Sequence, residues 1–212
     1  MTEHVKPQDI EARSFEIIKA ELDAMGISLD PEKDPVIRRA IHTSADFDYA
    51  ETLCFSPDAV RIAKDLMRSG ADVVSDTNMA LTGINKRKLA AYGGSARCYM
   101  ADEDVAAEAN DRGITRASVS MEHAARDAKE SGRKTVFAIG NAPTALMTLR
   151  EMHDKGVYTP DFVIGVPVGF VNVVEAKELI LETDIPCIVN RGRKGGSNVA
   201  AAIVNAILYS MG

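Results

Sequence analysis

A chain of 212 residues suits a single α/β domain over residues 1–212 and can bury a full core without disulfide or metal staples. Its 46% hydrophobic and 26% charged residues are the balance of an ordinary globular protein, and a net charge of −6 excludes nucleic acid as the main partner. No run of about eighteen apolar residues occurs and the opening MTEHVKPQDIEARSF lacks an apolar signal core, so no membrane partner is expected.

The first predicted helix runs from about Pro7 to Met25, with Ile10, Ser14, Ile17, Ile18 and Leu22 on one face. A buried serine bonding back to its own helix is one reading of Ser14. Asp34-Pro35 is a good N-cap and first-turn pair for a second helix through about Thr43, and Ser56-Pro57 opens a third that ends at Gly70. Helices 7–45 are expected to pack on an α/β core. Short apolar runs at Ala71–Ser75, Ala96–Tyr99, Thr135–Ile139, Phe162–Val166 and Cys187–Asn190 then alternate with helices. Those helices fall near Asp102–Arg112, Thr115–Ser131, Pro143–Lys155, Val173–Leu181 and Asn198–Tyr209. Continuous apolar strands between amphipathic helices predict a three-layer α/β fold, a mainly parallel sheet with helices on both faces.

Three scattered cysteines, Cys54, Cys98 and Cys187, form neither a disulfide framework nor a CxxC pair, which fits a reducing cytoplasm. His4, His42, His123 and His153 show no metal-ligand spacing, and no protein-bound metal is expected. His123 and His153 have many charged neighbours and are expected on the surface.

Three segments leave strands and open helices: 140–143 (GNAP), 165–169 (GVPVG) and 191–197 (RGRKGGS). In a parallel sheet all three meet at one edge, where such folds bind ligands. Ser197 is a plausible N-cap whose helix would favour an anion. A nucleotide phosphate fits poorly, because Lys194 precedes the glycine pair where a phosphate loop needs GxxxxGK[ST], and no GxGxxG follows a strand. Carboxylates held by Arg191, Arg193, Lys194 and backbone N–H groups fit at least as well; a solvated basic loop is the plain alternative.

On the second helix Arg39, His42 and Asp46 are spaced i, i+3 and i+7, with Asp46 at or just past its end. An imidazole there suits proton donation near neutrality, with Arg39 lowering its pKa and Asp46 raising it. Thr115 resembles an N-cap. Arg116 then stands at the positive end of a helix, where Glu122 or an anionic ligand would offset it.

The stretches RSFEII (13–18), IRRAIHTSADFDYA (37–50), SDTNMALTGI (75–84), ITRAS (114–118), IGNAPTAL (139–146), VIGVPVGFVNVVEAKE (163–178) and GRKGGSNVAAAIVNA (192–206) resemble, in order, the precorrin-8 and cobalt-precorrin-8 methylmutases. They cover nearly the whole chain. The resemblance implies an isomerase of cobalamin biosynthesis that moves a methyl group from carbon 11 to carbon 12 of a corrin-type ring, giving hydrogenobyrinate or cobyrinate. It implies that the histidine at His42 donates and accepts the proton, that Ser14 and Arg39 bind substrate, and that Arg116 lies near the ring. The remaining expected substrate contacts are Thr43, Asn141, Pro167, Gly169, Arg191, Lys194, Gly196 and Ser197.

A sigmatropic methyl shift needs no methyl donor, redox group or covalent nucleophile, so no cofactor is expected and any cobalt is carried by the corrinoid substrate. Thr43-Ser44-Ala45 after the histidine is more like the cobalt-early branch. A homodimer with sites close to its interface is also implied. Two other functions compete: a non-catalytic corrinoid carrier, and a phosphate-binding enzyme using the 192–197 loop.

Overall fold

The computed structural model describes residues 6–212; His4 lies outside them. A 3-10 turn at Pro7–Asp9 leads into α1 (Ile10–Ala24), followed by α2 (Asp34–Ser44), α3 (Tyr49–Thr52), β1 (Leu53–Phe55) and α4 (Ala59–Arg68). Next come β2 (Asp72–Ser75), α5 (Asn78–Gly83), α6 (Lys86–Ala91), β3 (Ala96–Arg97), α7 (Glu103–Arg112) and α8 (Arg116–Ser131). The chain ends with β4 (Thr135–Ile139), α9 (Pro143–Asp154), β5 (Phe162–Gly165), α10 (Val173–Leu181), β6 (Cys187–Asn190) and α11 (Ser197–Tyr209).

The strands form one sheet in the order β1-β6-β5-β4-β2-β3, parallel except for β1, which pairs antiparallel with β6. Alternate residues of each strand face opposite sides. Val73, Val136, Ala138, Ile164 and Ile188 pack with α1, α2, α4 and α11; Val74, Phe137, Ile139, Val163 and Val189 pack with α7 to α10. This is the three-layer α/β architecture expected from the apolar runs.

Several local expectations change. β1 was not anticipated: only three residues long, it sits at an edge between a one-turn helix and Ser56-Pro57. Asp34 lies inside α2 rather than capping it, and its carboxylate takes the Arg38 guanidinium one turn on. Ser56 does not cap α4, because its hydroxyl accepts the N–H of Cys187 at 2.9 Å. His123 is buried at 6% exposure, its Nε2 2.8 Å from Glu108 of α7. What satisfies it inside is a carboxylate from another helix, not the charged residues beside it in sequence.

On α1 only Ile18 and Leu22 of the expected apolar face are buried; Ile10 and Ile17 are 56% and 41% exposed. α2 packs along α11 and α1 lies on α2, placing Ile41 in one core with Ile203 and Ile207. Among the described residues no helix is long and apolar enough to cross a membrane.

Candidate active site

The strand order reverses between β2 and β4: the chain passes from β2 to β3 on one side, then crosses to β4 on the other. Loops leaving the carboxyl ends of these strands diverge and open a crevice. Asp76, directly after β2, spans it. Its fully buried carboxylate accepts backbone N–H groups from Gly140 (2.9 Å), Asn141 (2.8 Å) and Ala142 (2.7 Å) after β4. Burial raises its pKa above the usual carboxylate value, and the three N–H bonds pull it back. An internal carboxylate therefore already occupies the anion-binding position in front of α9.

The three strand-to-helix loops do converge. Gly196 N–H donates to Val166 O (2.9 Å) and Gly169 N–H to Arg193 O (3.1 Å), while Ser197 Oγ and Thr77 Oγ1 are 2.8 Å apart. A Cβ on Gly140 would stand 2.6 Å from Ser197 Cα, and one on Gly195 would stand 2.0 Å from Val166 O. These glycines let loop approach loop. Ser197 is the first residue of α11 and Gly196 its cap, so the expected serine cap is not formed. Pro167, Gly196 and Ser197 are buried beneath this loop surface, Gly169 is half-buried, and Asn141, Arg191, Arg193 and Lys194 are exposed on it.

The α2 helix brings its histidine toward the same edge. His42 is exposed, and its Nδ1 lies 2.8 Å from Ser14 Oγ of α1. Ser14 therefore bonds across to a second helix rather than back to its own. The ring stacks on Phe15, centroids 5.1 Å apart. Phe15 and Tyr209 flank the Arg39 guanidinium at 4.7 and 5.1 Å, and Arg39 Nη1 meets Glu11 at 2.6 Å.

His42 lines two hollows. One is a cleft of about 520 Å³ that includes Ile10, Ser14, Ile17 and Phe47; the other, about 250 Å³, includes Arg39, Thr43 and Asn198 of α11. Exposed Ile10 and Ile17 thus give the imidazole an apolar surround. A larger groove of about 650 Å³ between α8 and α9 holds none of the expected site residues, and its Arg112–Glu122 and Lys155–Glu151 charges are already paired.

The basic residues are less free than the sequence implied. Lys194 Nζ lies 2.6 Å from Asp46 and 2.5 Å from Asp48, which ties the loop before α11 to the end of α2. Those two carboxylates hold its pKa well above the lysine norm, and Lys194 holds Asp46 below the carboxylate norm. Asp46 therefore serves Lys194 and not His42. Arg191 pairs with Glu178 at 3.2 Å, and Arg193 lies over the Phe170 ring at 5.3 Å. Glu122 binds Arg112, leaving Arg116 exposed and without a protein partner among the described residues. Thr115, the cap of α8, reaches Thr144 Oγ1 at 2.8 Å and so brings Arg116 beside the first turn of α9.

A six-stranded α/β sheet with convergent loops at its switch point, and an exposed histidine oriented by a serine beside them, defines a small-molecule enzyme fold with one acid–base group at its ligand edge. The chain belongs to the precorrin-8X methylmutase family, whose model matches residues 9–210. The cobalt-precorrin-8 methylmutase of Salmonella typhimurium is 44% identical over 209 residues, covering 97% of this chain and 96% of that one. That of Priestia megaterium is 43% identical over 203 residues (96% and 88%), and the precorrin-8X methylmutase of Pseudomonas aeruginosa 39% over 202 (94% and 94%). A crystal structure of precorrin-8X methyl mutase from Thermus thermophilus superimposes with a TM-score of 0.83 at 36% identity, covering 95% of this chain and 96% of that one. This membership does not favour the carrier or the phosphate-binding alternative.

Proposed function

We propose that His42 is the proton donor and acceptor of this methylmutase, an isomerase of cobalamin biosynthesis, and that it acts on cobalt-precorrin-8. The carrying observation is the 2.8 Å contact between Ser14 Oγ and His42 Nδ1, at a cleft shared by α1 and α2 and adjoining α11. With Nδ1 engaged by the hydroxyl, Nε2 is the nitrogen left for a ligand.

Protonating or strongly hydrogen-bonding a ring nitrogen next to the migrating group draws electrons from the conjugated path and eases the shift from carbon 11 to carbon 12. General acid catalysis of this kind contributes about 10²–10⁴-fold. Shape-selective binding of the product-like ring supplies the rest. The methyl group comes from the ring itself, so the reaction needs no cofactor and the cobalt travels with the substrate.

Arg116 and Arg193, which have no carboxylate partner among the described residues, are the readiest groups for the acidic arms of the ring. Arg191 and Lys194 would exchange a protein carboxylate for a substrate one, at little net cost at a solvated surface, and Arg39 would exchange Glu11 from its seat between Phe15 and Tyr209. Thr43, Asn141 and Gly169 complete the contact surface. Cobalt-precorrin-8 is supported by the 43% and 44% identical relatives, both cobalt-precorrin-8 methylmutases. Three free cysteines support a cytoplasmic setting, and exposed Met79 (72%), Phe170 (82%) and Val171 (76%) support a homodimer.

Incubating the protein with cobalt-precorrin-8 and following the visible spectrum tests the assignment. Conversion by the native protein is expected, with His42→Ala still binding the ring but not converting it. Near-native turnover by His42→Ala would reject the role.

A further inference from the structure

Lys177, in the second turn of α10, is the only lysine or arginine among the described residues that is fully buried. Its Nζ donates to the carbonyls of Gly192 (2.7 Å) and Lys194 (2.8 Å) in the β6–α11 loop. Asn190 Nδ2 donates to Arg191 O at 3.2 Å and again to Lys194 O at 2.9 Å, and Gly169 N–H takes Arg193 O. Four successive carbonyls, 191 to 194, are thus held from the protein side. Among the described residues the N–H groups of Gly192, Arg193, Lys194 and Gly195 donate to nothing.

Asp76 does the converse at the β4–α9 loop, where it consumes N–H groups. The two loops therefore have opposite polarity, and of the two only the one above Lys177 has backbone N–H groups without an acceptor among the described residues. A buried ammonium facing carbonyls alone is expensive; an apolar side chain of similar length would fill the space at lower cost. Burial lowers its pKa to about 8. What a lysine adds is a charged donor under the loop.

We infer that Lys177 is a positioning residue that fixes the β6–α11 loop with carbonyls inward, so that its N–H groups receive carboxylate arms of the ring. This rests on the proposed function, which puts an acidic macrocycle over that loop.

Visible titration of the whole protein with cobyrinate, with melting temperature followed in parallel, tests the inference. Lys177→Met is expected to remain folded, to weaken cobyrinate binding by about ten-fold (the scale of one charge-assisted hydrogen bond), and to keep kcat within about three-fold of native. Lys177→Arg, which returns a charged donor, is expected to recover most of the affinity. A folded Lys177→Met protein that binds cobyrinate within about two-fold of native overturns the inference, as does lost kcat with unchanged affinity. Should Lys177→Met not accumulate, Lys177→Gln is compared with Lys177→Arg: clearly weaker binding by the neutral side chain supports the role, and equal binding overturns it. Native protein that binds no cobyrinate rejects the proposed function itself, a result separate from any difference between variants.

Discussion

Ser14 Oγ lies 2.8 Å from His42 Nδ1, although the two residues are 28 positions apart and on different helices. The contact fixes the imidazole's rotation about its own axis, and the Phe15 stack at 5.1 Å fixes its plane. In the tautomer where the hydroxyl donates to Nδ1, Nε2 carries the ring proton and is presented to the cleft. Ser14→Ala removes the orienting bond and leaves the imidazole in place. Turnover is expected to fall by about ten-fold, with cobyrinate affinity changed by less than about three-fold. Single-turnover rates and a binding titration separate the two; an affinity loss with an intact rate would make Ser14 a binding group only.

Arg39 stands one turn before His42 with its guanidinium between Phe15 and Tyr209. Arg39→Ala is expected to weaken ring binding more than it slows the bound step, and to cost about 1–2 kcal/mol of stability through the lost stacking. Lysine at this position keeps the charge without the planar stack, so it should restore affinity only in part. Steady-state kcat and KM, with a urea melt, check both statements. Equal losses in kcat and affinity would put Arg39 in the chemistry.

Asp76 joins the two sides of the crevice, so its removal should be felt in both fold and site. Asp76→Ala orphans three backbone N–H groups at a buried carboxylate and is expected to cost about 3 kcal/mol or more. Asp76→Asn keeps one oxygen and sets an amide N–H₂ against the remaining donors, so an intermediate loss is expected. Oδ1 takes Gly140 and Oδ2 takes both Asn141 and Ala142, so either orientation of the amide leaves at least one donor facing another. Chemical denaturation of the variants measures this, and a loss below about 1 kcal/mol for alanine would mean that the loop rearranges or hydrates freely.

Much of this architecture is legible in the sequence because the strands are buried on both faces. β4 and β6 coincide with the apolar runs Thr135–Ile139 and Cys187–Asn190, and α10 with Val173–Leu181. Helical spacing together with family likeness points to His42, Arg39 and Ser14, and the structure brings all three around Phe15. Asp76 has no local signature, although it lies in SDTNMALTGI, because a buried carboxylate is explained only by which loop returns across the sheet. Lys177 does carry a local signal: it shares the buried face of α10 with Val173 and Ile180 at spacings of four and three. His123 and β1 depend on partners distant in the chain, Glu108 and β6, which no local pattern encodes.

Lys177 also gives a pH signature in which two readouts move in opposite directions. Its ordinary value is 10.5 and burial lowers it to about 8, so the unfolded chain holds the proton to higher pH than the folded one. Between about pH 8 and 10.5 the unfolded state binds more protons, and this group's contribution to stability rises with pH. Over the same rise the charge beneath the β6–α11 loop disappears, although a neutral amine still donates to two carbonyls. Cobyrinate affinity is therefore expected to fall as pH passes about 8 while the melting temperature gains from the same deprotonation. Of the charged groups around this loop, Arg191 is paired with Glu178, Arg193 lies over Phe170, and Lys194 is held protonated well above this range by Asp46 and Asp48. Titrations at pH 7 and pH 9.5, repeated with Lys177→Met, isolate the contribution. Both slopes should flatten in the variant, and a binding profile that falls just as steeply without the lysine would assign the pH dependence to another group.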